Sequence, residues 1–306
     1  MAQTRGTFTE LYDNIDKVVN VVLQDQLKEL QPIWRQVFNI KTSDRKFERV
    51  LTVTGMGDVP TKGEGEAYQT DIIQAGYTKD FTHVEFGLGF EVTETALEDD
   101  QYDQLEKNAM WLAFSARVVE EKRAANIFNN GFTTETTPDG VALFSASHVL
   151  KVGTTARNAL STAADLSATS LAQALMDLQN QTKLESGQLA APITDLILYV
   201  PPALEFASDR ILESAGLPGS ADNDRNPIKS RRSWKLIVNP YLTDEDAWFI
   251  LAANKKLHGI TSYTRVPITQ VPPMTDAKTG NRIYKVRFRR SWGAWQWQNA
   301  FGSPGA

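Results

Sequence analysis

The sequence predicts an α+β fold in which a mixed helix–strand body carries two appendages, an N-terminal helical arm and a long β-ribbon. Three patterns lead to that class. Apolar residues recur at three- and four-residue spacing near the N-terminus. Two strand-like runs flank a stretch rich in Gly and charge between residues 46 and 94. A helical pattern then follows that is several times longer than the usual length of about 11–12 residues.

The first element is an amphipathic helix. Phe8, Leu11, Tyr12, Ile15, Val18, Val19, Val22, Leu23, Leu27 and Leu30 form its apolar stripe, Thr7 with Glu10 supplies a capping box, and Pro32 stops it. A stripe this complete has to be covered, either by the chain's own body or by a neighbour. Next, Phe47–Val53 and Thr82–Val92 read as strands that pair into a ribbon, with the Gly-rich segment from Thr54 to Glu66 as its tip. A lone ribbon is marginal in water, so it needs a partner surface.

Thr95 with Glu98 offers a second capping box for the long helix, and Gly131 its stop. At 1.5 Å per residue such a helix is roughly 50 Å long, the dimension of a structural beam. The remainder reads as an α+β body. A helix covers about 170–186 with Leu171, Leu175 and Leu178 on one face and Gly187 behind it. The strand Asp195–Val200 leads through Pro201–Pro202 into a helix ending near Gly216. Strands at 234–238 and 247–251 follow, and Arg282–Arg290 alternates cleanly toward Trp292, Trp295 and Trp297. There is no internal repeat.

Composition removes whole classes of function. With 42% hydrophobic residues, 19 Gly and 13 Pro in 306 residues, the chain is neither disordered nor low in complexity. The absence of Cys excludes disulfides, thiolate catalysis and every Cys-containing zinc site. No apolar run approaches the roughly 18 residues of a membrane span, and no secretory leader is visible, so a soluble chain made in a cytoplasm is expected. The net charge of −5 is no blanket nucleic-acid footprint.

The order of elements carries a resemblance. Arm, ribbon, beam helix, α+β body and basic returning strand occur in the sequence found in the major capsid proteins of tailed phages, and the chain resembles that family with its HK97-like fold. In closer detail it is similar to the Mu-like phage major head subunit family. The segment Asp139-Gly140-Val-Ala-Leu143-Phe144-Ser145-Ala-Ser-His148, the strand from Leu196 to Ala203 and the ending from Trp295 to Gly302 carry that likeness.

The resemblance implies an N-terminal arm (1–45), an extended loop (46–94), a peripheral domain with its spine helix (95–154), an axial domain (155–262) and returning peripheral strands (263–306). It implies a major capsid protein that self-assembles into the icosahedral shell enclosing double-stranded DNA, with no enzymatic activity, no catalytic or metal-binding residue and no cofactor. The implied partners are copies of the same chain in pentamers and hexamers, scaffolding and portal proteins, and the packaged DNA; no membrane is involved. The implied location is the virion, after assembly in a bacterial cytoplasm.

The residues themselves offer weaker alternatives. Ser145 or Ser147 with His148 would suit a serine hydrolase, but sequence neighbours rarely form a triad, and no Gly-x-Ser-x-Gly elbow surrounds them. A fixed hydrogen bond in a turn is the better reading of His148. Another phage structural protein, from tail or connector, is a further alternative. The Gly-rich segments at 55–57 and 63–65 lack the context of a phosphate loop, and Asp222-Asn-Asp224 lacks the rest of a calcium loop.

Charge is segregated along the chain. Glu91–Glu106 holds seven acidic residues and no base, whereas Ala277 to the C-terminus holds six bases and no acid. Within the last long strand, Tyr284, Val286 and Phe288 face one way and Lys285, Arg287 and Arg289 the other. Lys285, Arg287, Arg289 and Arg290 are therefore the candidate residues for a subunit interface or a DNA-facing surface.

Overall fold

In the computed structural model, residues 5–99, 102–189, 193–216 and 225–306 are described. Helix α1 (Arg5–Glu29) is followed by a 3-10 turn at Ile33–Gln36 and the short strand β1 (Asn39–Thr42). The ribbon strands are β2 (Phe47–Val53) and β3 (Ala75–Thr82), after which β4 (Val84–Val92) leads to α2 (Glu94–Glu98) and α3 (Tyr102–Asn129). A two-residue hairpin, β5 (His148–Val149) with β6 (Thr155–Ala156), precedes α4 (Ala168–Gln181). Strand β7 (Asp195–Val200), α5 (Glu205–Glu213), α6 (Pro227–Arg231), β8 (Ser233–Val238) and β9 (Trp248–Ala252) complete the body. The chain returns through β10 (Ile260–Thr275) and β11 (Arg282–Ala294) and ends on β12 (Ala300–Ser303).

Two four-stranded sheets organise these elements. One has the order β1-β10-β11-β4, with β1 parallel to β10 and the other pairs antiparallel. The other has the order β12-β9-β7-β8, with β7 parallel to β8. The strand β7, buried at five of its six residues, reads as a continuous apolar run because helices cover it. An aromatic knot ties the end of α3 to this second sheet: the Phe128 ring lies 4.7 Å from Tyr199 and 5.1 Å from Phe249, centroid to centroid.

Helices α1 and α3 lie on the inner face of the first sheet. Ile15 and Val19 share a buried cluster with Leu105, Ala109 and Tyr284, while Leu23 and Leu27 share one with Leu112, Ala113, Ala116, Val286 and Phe288. The arm's stripe at these positions is therefore covered within the chain, because the four-residue spacing of Ile15, Val19, Leu23 and Leu27 lands them all on one side of the helix. Asp16 reinforces the contact by accepting hydrogen bonds from the Arg282 guanidinium and from the Tyr284 hydroxyl.

Several expectations need correction. Strand β2 pairs with β3, not with the segment 84–92; β4 instead joins the first sheet beside β11. The alternating run from Thr82 is broken at His83, where the chain passes from the ribbon to the sheet. The helix expected from Thr95 begins as the short α2, whose cap is Thr93, accepting from the Ala96 amide. The 28-residue α3 spans about 42 Å at 1.5 Å per residue. Helix α4 stops at Gln181, before the expected Ser186, and is capped by a Ser167–Ser170 box. Helix α1 starts at Arg5, ahead of the expected cap at Thr7, whose side chain lies outside the described residues.

Candidate assembly surface

The outer face of the first sheet is built by alternation along β11. Tyr284, Val286 and Phe288 are buried toward the helices, Lys285 and Arg287 are exposed, and Arg289 is half-buried. Across the ladder these three basic residues face Gly89, Gly87 and Glu85 of β4. The glycines leave the surface beside the basic side chains low. At Gly89 the strands also come too close for any side chain, since a Cβ would sit 2.7 Å from the Tyr284 carbonyl oxygen. Glu85 lies 3.7 Å from Arg287 and 4.0 Å from Arg289. Three basic side chains against the one Glu85 carboxylate leave these facing positions net positive, and exposed pairs at such distances contribute little to stability.

Arg290 departs from the expectation. As an even-numbered residue of β11 it points inward with Phe288, and it is buried. Its guanidinium donates to the Glu120 carboxylate at 2.6 Å and stacks over Trp34 at 4.8 Å. Burial pushes Arg290 down to about 10 although Glu120 opposes the shift. Glu120 also accepts from Arg117 at 2.8 Å, which places two guanidinium groups on one fully buried carboxylate. Sequence reasoning missed this knot because charged residues on a long helix read as a solvated face.

Glu121, next on α3, accepts the backbone N–H groups of Ile33 and Trp34, so it clamps the turn after α1. Burial raises its carboxyl to about 7, against the pull of those two donors. A carboxyl whose folded value lies above its unfolded one contributes stability that is full below about pH 4.5 and lost as pH rises through about 7. Urea midpoints of the wild type should therefore decline from pH 5 to pH 8 more steeply than those of Glu121→Gln, which has no proton to lose. Parallel declines in the two proteins would refute the assignment.

The ribbon presents a different surface. Phe47, Leu51 and Val53 of β2 are exposed on one face, with Arg49 paired to Asp80 between them at 2.6 Å. Beyond the strands, Met56, Val59, Tyr68 and Ile72 are also exposed. The inner side of the ribbon touches the body through Phe81, buried against Tyr263, and through polar contacts: Lys79 donates to Glu135 at 2.7 Å, and Gln188 donates to Asp58 at 2.6 Å. This apolar surface on an extended hairpin is a strong feature of the described residues, since stretches of exposed hydrophobics mark interaction sites.

The serine–histidine cluster has a structural arrangement. His148 is fully buried, with Nδ1 2.7 Å from the Asp139 carboxylate and Nε2 3.0 Å from Asn158 Oδ1, and its ring stacks on Trp297 at 4.4 Å. Asn158 in turn accepts the Ser145 amide and donates to the carbonyls of Leu143 and Trp297. Both ring nitrogens are thus engaged, and the Ser145 hydroxyl accepts the Ser147 amide at 3.2 Å. The cluster pins the turn after α3 to the C-terminal strand. Asp222-Asn-Asp224 lies outside the described residues; among the described residues no cluster of acidic and imidazole groups could hold a metal, and no helix is long and apolar enough to cross a membrane.

Comparison with known proteins places this geometry. A family model described as phage capsid protein matches residues 76–301. No curated protein is significantly similar in sequence. Among solved structures, the virus-like particle from Pyrococcus furiosus aligns with a TM-score of 0.56 at 11% identity, over 94% of this chain and 98% of that one. The capsid of the native GTA particle gives 0.58 at 14% identity, over 90% and 91%. The procapsid of bacteriophage JBD30 gives 0.55 at 15% identity, over 98% of this chain and 76% of the other. At these identities the likeness concerns the fold, which in all three covers nine-tenths or more of this chain.

Proposed function

Because this chain belongs to the phage capsid protein family, we propose that it is the major capsid subunit, assembling with copies of itself into an icosahedral shell around double-stranded DNA. The single observation that carries this reading is the family match over residues 76–301, which takes in α3, all but the first residue of β3, the first sheet except β1 and the second sheet except the end of β12. The exposed apolar ribbon supports it, because in a shell each ribbon meets the surface of an adjacent copy. The subunit is read as a structural protein of the virion.

The finer division follows the same logic. Residues 1–45 act as the arm, 46–94 as the extended loop, 95–154 and 263–306 as the peripheral domain, and 155–262 as the axial domain that gathers around the symmetry axes. Lys285, Arg287 and Arg289 form the basic face that meets acidic surface of a neighbouring copy or the packaged DNA. Scaffolding and portal proteins are further partners in this reading, with assembly in a bacterial cytoplasm. The segment from Asp139 to His148 supports a narrower placement beside the Mu-like head subunits.

Negative-stain microscopy and gel filtration of the purified protein test this reading. Shells or ring-shaped capsomers are expected. A small monomer at every concentration and salt, with esterase activity lost in Ser145→Ala or Ser147→Ala, would overturn it.

A further inference from the structure

The root of the ribbon holds a buried histidine that neither the shell nor the basic face uses. His83 sits between β3 and β4, at the point where the chain leaves the ribbon for the first sheet. Its Nε2 lies 3.0 Å from the Ser43 hydroxyl and its Nδ1 3.1 Å from the Ser291 hydroxyl. Ser43 follows β1, and Ser291 belongs to β11. The Ser43 hydroxyl donates to Glu48 of β2 at 2.6 Å and accepts the Arg45 amide at 3.2 Å. One side chain therefore joins both sides of the ribbon's root to two strands of the sheet.

The proton positions follow from this wiring. A carboxylate only accepts, so the one Ser43 proton goes to Glu48, and Ser43 must accept from His83 Nε2–H. The Nδ1 lone pair then accepts from Ser291. The imidazole is neutral, with its proton on Nε2, and each of its nitrogens is satisfied. A second proton would turn the Ser291 hydroxyl from donor to acceptor and place a cation in a buried pocket.

The surrounding charges oppose that cation. Arg289 of β11 and Arg265 of β10 are the basic groups facing it, with Glu48 of β2 the opposing acid. Arg265 is partly offset by Asp44 at 3.3 Å, and Arg289 by Glu85 at 4.0 Å. Tyr263 of β10, beneath Lys41, packs on Phe81 at 5.1 Å and completes the wall. Burial first, then Arg289, hold the His83 imidazole below its ordinary range.

We propose that His83 is a pH-sensitive pin at the root of the ribbon: neutral, it fastens β2 and β3 to the first sheet, and its protonation frees the ribbon to move. The sign follows from linkage, since a histidine with a depressed folded value binds its second proton more tightly in the opened state. Opening is therefore favoured as pH falls below the ordinary imidazole value of about 6.5. The pin rests on the subunit's own fold and is independent of the capsid reading, because it is measured on the unassembled chain.

Amide hydrogen exchange at residues 47–53 and 75–82, corrected for intrinsic rates between pH 5 and pH 8, is the test. Wild-type protection there should fall by about tenfold or more at acid pH, as expected for a local opening. His83→Gln, which can donate to Ser43 and accept from Ser291 but cannot titrate, should stay flat. Arg289→Gln, which removes a facing positive charge, should move the wild-type midpoint to higher pH. The proposal fails if wild-type protection shows no acid step, if the step persists in His83→Gln, or if Arg289→Gln leaves the midpoint unchanged.

Discussion

Glu120→Ala should lower the stability of the subunit by about 3–5 kcal/mol, the cost of removing one partner from a buried ion pair. Glu120 is fully buried, and its two oxygens serve Arg290 at 2.6 Å and Arg117 at 2.8 Å. With the carboxylate gone, two guanidinium groups remain inside. The adjacent Glu121 does not stand in, because its oxygens are occupied by the Ile33 and Trp34 amides. The stacking of Arg290 over Trp34 and Trp292 eases but does not neutralise its charge.

A double variant separates charge from packing. Replacing the pair together, as Glu120→Leu with Arg290→Met, removes both ions and should recover more than about 1 kcal/mol relative to Glu120→Ala alone. Urea unfolding followed by circular dichroism measures both. A loss below about 1 kcal/mol in Glu120→Ala would mean that water reaches Arg290, and the knot would then be a surface pair in energetic terms.

The largest effect on assembly is expected from reversing the exposed basic face. Lys285→Glu, Arg287→Glu and Arg289→Glu together should leave a folded subunit that forms no shells. The fold should survive because two of the three side chains are exposed and the distances from Arg287 and Arg289 to Glu85 are those of weak pairs. The face, however, changes by six charge units in all, from three positive to three negative. Like charges brought together at an interface cost several kcal/mol, and complementary ones set register and encounter rate. Any contact with DNA would weaken as well, since its affinity rests on neutralised phosphates. Circular dichroism of the variant should match the wild type while microscopy shows no shells. Normal shells would remove these residues from any role at an interface.

Much of the fold was legible because its strongest patterns are local. Strand β7 and ribbon strand β2 occupy the expected residues, since each is a short β-rich run bounded by turn signals. Strand β10 escaped detection because Pro267, Pro272 and Pro273 argue against a strand. The structure accommodates them where the ladder with β11 shifts register, between Val266 and Thr269 and between Val271 and Met274. The ribbon's pairing was misassigned because the alternation from Thr82 to Val92 continues through His83, although the two sides of that residue belong to different sheets. Period alone cannot show where a strand changes partner. Of the candidate residues, Lys285 and Arg287 lie on the exposed face as the alternation required, and the same alternation, carried one residue past Arg289, turns Arg290 inward.

The sheet that bears the basic face also dictates when the molecule can mature. Its interior strands, β10 and β11, follow the arm, the ribbon and α3 in the chain, and β11 begins only at Arg282. During vectorial synthesis the arm, the ribbon and α3 all emerge before the surface on which α1 and α3 rest exists. A nascent chain therefore holds α1 and the ribbon without that sheet until β10 and β11 have been made. Until then a ribosome-bound chain has no finished surface on which to seat α1 and α3.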